Sequence, residues 1–197
     1  MLKNISKERV GNILLYLASK IKDLSLTKTL KLLYLIDETA VRETGVPVTW
    51  LEYKVWKLGP VPEPIYDELS NTSESKIILD LTSFINIERR NLTIDGVLKE
   101  CTFISPSSDF SEDIFSEYEL ELFDKVIETF GSLTSEQIID ILHSEGSLWD
   151  KKVKEENLIK LFEIQNGKSD ISILFTDLLN DALKKVTYQS AFEMQSF

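Results

Sequence analysis

Groups able to carry chemistry are scarce in this chain of 197 residues, which has one cysteine, Cys101, and one histidine, His143. A lone cysteine excludes an internal disulfide, and two Cys/His residues fall short of the four that a structural zinc site requires. A carboxylate-only Mg²⁺ or Ca²⁺ site stays open in principle, but no EF-hand spacing is present. The sequence contains no GxxxxGK[ST] loop, no GxGxxG and no GxSxG, so nucleotide cradles and the hydrolase elbow have no support. No apolar run reaches the roughly 18 residues that span a bilayer. The opening MLKNISKERVGNILLYLASK mixes charge into its apolar residues too often for a signal peptide. A cytoplasmic protein with no cofactor, no metal and no membrane association is expected.

What is present describes an ordinary globular chain. It is 43% hydrophobic and 28% charged, and long enough for one good core. The net charge of −11 is unevenly placed. Residues 1–100 carry 14 acids and 14 bases, whereas 101–197 carry 19 acids and 8 bases. Between Asp109 and Glu145 there are 11 acids and a single base, Lys125. That half would repel a phosphate backbone, so direct nucleic-acid binding through it is not expected. Two readings remain for the acids: a docking face for a basic partner, with Glu117, Glu121 and Glu128 as candidates, or a solvated helix face.

Apolar spacing predicts a helix from Ser6, as N-cap, to about Ile21, and a second from about Thr27 to Glu43, stopping before Gly45. Leu30, Leu32, Leu33, Tyr34, Leu35 and Ile36 cover most of the second helix's circumference, which marks it as central. In WLEYKVWKLG, alternation suggests a short strand, with one helical turn as the alternative. Three of the five prolines follow in KLGPVPEPIYDEL, where Pro62 or Pro64 suits the first turn of a short helix bearing Ile65, Tyr66 and Leu69. KIILDL, SFINIER and ECTFIS read as two or three antiparallel strands, with turns at Asn91 and Asp95-Gly96. Ser116/Glu119 and Thr134/Gln137 are capping-box pairs opening two helices, the first ending at Gly131. Residues 149–166 read as a broken helix or loop, and a last helix is expected over about Asp170–Val186. The sum is one α+β domain, predominantly helical, with about six or seven helices and a small sheet of two or three strands.

Few residues stand out chemically. His143 has Asp140, Glu145 and Asp150 nearby in sequence and could serve as a base; the plainer reading is a histidine capping carbonyls at a helix end. Asp37, inside LLYLIDETAV, must be paired, hydrogen-bonded or protonated, with a backbone N–H or an arginine as its structural partner. Trp50, Tyr53 and Trp56 read as core or, if exposed, as partner-binding hot spots.

The order of these features resembles the Panacea domain, or SocA-like antitoxin, family (DUF4065). Its K-L-L-Y-x-A-D helix is similar to Lys31-Leu32-Leu33-Tyr34-Leu35-Ile36-Asp37, and its G-x-P-[IV]-T turn to Gly45–Thr49. Tyr53 occupies the aromatic segment, Gly59-Pro60-Val61 the G-P-V, and Ile65-Tyr66 the short helix. In the second half Ser116, Glu117, Glu119, Phe130, Gly131, His143 and Trp149 occupy the S-E-x-E helix, the aromatic-Gly stop and the His…Trp ending. Ile36 and Leu142 depart from the small residues usual at those places.

The resemblance implies a domain over 1–155, with 156–197 a helical extension packed on it. It also implies a non-enzymatic antitoxin that binds and neutralises a cognate protein toxin, a basic one if the acidic region is used. The alternatives are a proteolytic adaptor delivering its target to a Clp-type protease, or a phage-encoded regulator of a host protein. An enzyme built on His143 and Asp37 ranks last.

Overall fold

Helices dominate the architecture. The computed structural model describes residues 7–70, 79–94 and 96–194, and among them are eight α-helices and two small antiparallel sheets. In chain order these are α1 (Lys7–Lys20), β1 (Leu24–Ser25), α2 (Leu26–Thr44), β2 (Lys54–Trp56), β3 (Gly59–Val61), α3 (Glu63–Ser70), β4 (Ile85–Ile94) and β5 (Val97–Pro106). There follow α4 (Glu117–Phe130), α5 (Ser135–Leu142), α6 (Leu148–Glu155), α7 (Leu158–Ile164) and α8 (Ala182–Met194).

Everything is arranged around α2. Ser25 caps its start by accepting the Lys28 N–H at 3.3 Å. Gly45, at φ 87°, closes its end by donating to the Val41 carbonyl, a left-handed position that favours glycine. Leu30, Leu32, Leu33, Leu35 and Ile36 are all buried, so the helix is apolar on every side and packs against α3, α4, α5 and β3. Each fully buried leucine contributes about 1.5–3 kcal/mol. That gain offsets three charged side chains that α2 also buries, Lys28, Lys31 and Asp37.

One sheet has the order β1-β5-β4 and the other pairs β2 with β3. SFINIER and ECTFIS form the β4–β5 hairpin, registered from Ile85↔Pro106 to Ile94↔Val97. Its third strand is not KIILDL but the two residues Leu24 and Ser25, paired with Ile104 and Phe103. Of KIILDL, Lys76–Ile78 lie outside the described residues. The rest folds into a 3₁₀ turn at Leu81–Ser83, because the buried Glu68 carboxylate accepts the backbone N–H groups of Leu79 and Leu81. Asn91 lies within β4 rather than at a turn, paired with Glu100. Ser6 and Asp95 lie outside the described residues.

Both capping boxes are present, Ser116 with Glu119 and Thr134 with Gln137. The 149–166 region is a helix broken at Asn157, whose φ of 52° turns the chain between α6 and α7. The expected final helix over Asp170–Val186 is a correction: α8 begins only at Ala182. Upstream, a 3₁₀ turn at Phe175–Leu178 follows a stretch around Ser172 that is extended because β2 recruits it. Val55 N–H donates to Ile171 O and Ile173 N–H to Tyr53 O, both at 2.8 Å. Phe175 then packs against both Tyr34 and Tyr53. Backbone pairing to an open strand edge outweighs the segment's own helical spacing.

Candidate functional site

The signature residues of α2 do not line an open cleft; two of them tie loops to the helix. Asp37 is fully buried. Its Oδ1 accepts the Val48 and Thr49 N–H groups, each at 2.8 Å, and its Oδ2 accepts the Tyr53 hydroxyl at 2.8 Å and the Thr49 hydroxyl. Burial pushes the carboxyl up to about 6, against these four hydrogen bonds, which pull it down. The acid therefore holds the Val46–Tyr53 segment against α2, and it does so with backbone N–H groups and hydroxyls rather than with an arginine. Leu33 is buried beside it, and Tyr34 packs edge-on against Tyr53 at 5.2 Å.

Two turns earlier on α2, Lys31 is 1% exposed and donates to the Pro60 carbonyl at 2.8 Å. Burial pushes its ammonium down to about 7. The proline cluster explains why the acceptor is there. Pro60 pairs with Val55 across the β2–β3 hairpin, and Gly59, at φ 98°, makes the bend. A Cβ at Gly59 would stand 3.3 Å from Lys31 Nζ and 3.7 Å from His143 Nε2, so the glycine leaves room for both side chains. Pro62 supplies the first carbonyl of α3, accepting the Ile65 and Tyr66 N–H groups.

His143 is the C-cap residue of α5. Its ring stacks on Trp149 at 3.6 Å and 14°, and Trp149 Nε1 donates to Trp56 O at 2.8 Å. Asp150, one of the acids near it in sequence, is engaged elsewhere, by Gly146 N–H and Lys154. His143 Nε2 is buried with no hydrogen-bond partner among the described residues. Burial, then the Lys31 charge, hold the imidazole below its usual range, against a weaker opposite pull from Asp140. Asp37 spends its carboxylate on four donors from residues 48–53, and His143 is not one of them.

The candidate partner-binding residues separate into two groups. Tyr53 and Trp56 are buried, and Trp50 lies against Tyr188 and Phe192 of α8, at 5.2 and 5.8 Å between rings. Glu117, Glu121 and Glu128 are exposed on α4, and their spacing of four and seven residues sets them on one stripe with Asp124. Val61 is buried and Tyr66 half-buried, the latter edge-on to Trp56 at 4.9 Å.

Sequence reasoning missed Glu68 and Lys168. Glu68 falls on the Ile65/Leu69 face of α3, a signal that could have marked it as buried. Nothing in the local sequence links Lys168, whose ammonium lies 4.4 Å over the Trp56 ring. No group of His, Cys, Asp and Glu able to hold a metal occurs among the described residues, and none of their helices is long and apolar enough to cross a membrane.

The signature positions, from Lys31 to Trp149, fall within residues 30–150, and the family model described as antitoxin SocA-like, Panacea domain, matches that same span. The chain belongs to the SocA-like antitoxin family. The match covers more than half of its length and stops before α7, so the segment that pairs with β2 and the helix α8 both lie outside the shared Panacea domain. No curated protein and no solved structure matches the chain. Membership suggests a toxin–antitoxin role, with a protein toxin as partner.

Proposed function

We propose that this chain is an antitoxin that neutralises its cognate protein toxin by binding it directly, with the acidic stripe of α4 as the docking face. The observation that carries the reading is the family match over residues 30–150. The choice of surface rests on Glu117, Glu121 and Glu128, which are exposed and form no ion pair among the described residues. Asp124, on the same stripe, accepts only the Tyr16 hydroxyl at 2.6 Å. Carboxylates held one turn apart on a well-capped helix present a fixed line of negative charge to a basic surface, which favours encounter and sets orientation. Buried Tyr53 and Trp56 are poor alternatives, because exposing them would break the contacts of Tyr53 with α2 and of Trp56 with Tyr66.

The test is co-expression with the protein encoded beside this one. That product should arrest growth alone, be harmless when expressed together with this chain, and co-purify with it. Replacing Glu117, Glu121 and Glu128 together by lysine should abolish rescue without lowering Tm. A neighbouring product that is harmless alone and does not co-purify overturns the proposal.

A further inference from the structure

A concavity of about 410 Å³ lies between the N-terminal half of α2, the β2–β3 hairpin and the Asn166–Lys168 turn. That is within the roughly 300–1,000 Å³ of small-molecule sites. Its lining is chemically one-sided. Lys31, Lys57 and Lys168 contribute three ammonium groups, Trp56, Tyr66 and Leu58 contribute apolar walls, and no Asp or Glu lines it. In a chain with 33 acids and 22 bases, a cleft lined by cations alone is a departure from the surrounding surface.

Two buried donors in this wall are under-used. Trp56 is 7% exposed, and its indole N–H is closed off from water with no acceptor among the described residues. Lys31, almost wholly buried, uses one of its three protons on the Pro60 carbonyl. A buried donor without an acceptor is unfavourable, so the lining is suited to a group that brings acceptors and negative charge. Lys168 lies over both rings, 4.4 Å from Trp56 and 5.2 Å from Tyr66. Its turn is fixed to the hairpin by Lys57 N–H donating to Gly167 O at 2.7 Å. Gly167 sits at φ 81°, a left-handed position that favours glycine, and a Cβ there would stand a tight 3.1 Å from Lys57 Cβ.

We infer that this cleft is a binding site for a small organic carboxylate with a flat apolar body, the carboxylate meeting the lysine amino groups and the body lying against the apolar wall of Leu58, Trp56 and Tyr66. The floor comes from the matched span and the Lys168 wall from the segment beyond it, so the wall is the part free to set which acid is accepted. The site is independent of the acidic stripe on α4, and of whether the chain neutralises a toxin.

The experiment titrates 1-naphthoate into the full chain, followed by tryptophan fluorescence and calorimetry, with 1-naphthylmethylamine as the cationic control. A short peptide ending in tryptophan, as free acid and as amide, distinguishes a free carboxylate from a chain terminus. The expected result is saturable one-to-one binding of naphthoate or of the peptide acid, with neither the amine nor the amide binding. Exposed Lys168→Ala should weaken binding about tenfold with unchanged Tm, as expected for loss of one charge-assisted contact. Lys31→Met, shown to be folded by its thermal melt, should weaken it further. Equal binding of acid and amine, affinity indifferent to both substitutions, or no binding of either acid overturns the inference.

Discussion

Asp37 and Lys31 show at the scale of single residues how one helix serves as both core and anchor. Each is a charged side chain two turns from the other on α2, and each is tolerated because it fastens a piece of irregular chain that has no other way to satisfy its backbone. Asp37→Ala would orphan the Val48 and Thr49 N–H groups. The expected loss is about 2–6 kcal/mol, read as a shift of the urea midpoint; Asp37→Asn, which keeps one acceptor oxygen, should recover part of it. A loss below about 1 kcal/mol would show that these N–H groups find other partners.

For Lys31, burial lowers the ammonium from the usual 10.5 to about 7. Between those values the unfolded chain binds a proton that the folded chain does not, so this group makes stability rise with pH across the window and withdraws that contribution as pH falls through about 7. Comparison with Lys31→Met isolates the effect. The stability of the natural chain relative to the variant should increase from pH 7 to pH 10, and an unchanged difference would mean that the lysine titrates normally.

Among the secondary-structure elements, local signals and tertiary docking contribute unequally. α4 and α5 carry their own capping boxes, and α2 has a serine N-cap and a glycine stop, so their limits were legible in the sequence to within a residue or two. α8 is the opposite case, having no fully buried residue. It is held by the Trp50–Tyr188–Phe192 ring cluster and by Lys184, whose ammonium donates to Arg42 O at the end of α2. Trp50→Ala should therefore speed amide exchange across residues 182–194 while leaving the α2 amides and the global Tm nearly unchanged. Protection of α8 equal to that of α2 in this variant would show that other contacts hold it.

At the scale of the whole molecule, charge is segregated. The acidic excess of residues 101–197 is displayed on α4, while on another face the cleft floored by α2 and the β2–β3 hairpin is lined by lysines. A toxin docked on the α4 stripe should bind clearly more weakly as salt rises from about 50 to 200 mM, because the screening length for exposed charges falls from about 14 to about 7 Å over that range. A Kd that does not move with salt would place the interface elsewhere.

By itself the sequence determined the elements whose signals are local: the apolar circumference of α2, the proline-set start of α3, the two capping boxes and the branched-residue hairpin. It also carried the family signature, because that signature is a run of residues at fixed spacing. The candidate site was legible only as a set of names. Which side chains meet depended on contacts between residues far apart in the chain: Asp37 with Val48 and Tyr53, Lys31 with Pro60, Trp149 with Trp56, Lys168 with the Trp56 ring. Residues 170–174 turned from the expected helix to extended chain, followed by a short 3₁₀ turn at Phe175–Leu178, for the same reason. The exposed edge of β2 offered backbone partners more than a hundred positions away, and unpaired N–H and C=O groups at an edge are satisfied by whatever segment the fold delivers to them. Local propensity is worth tenths of a kcal/mol per residue, and a buried unmet backbone group costs more than that, so the tertiary structure decided what spacing alone could not.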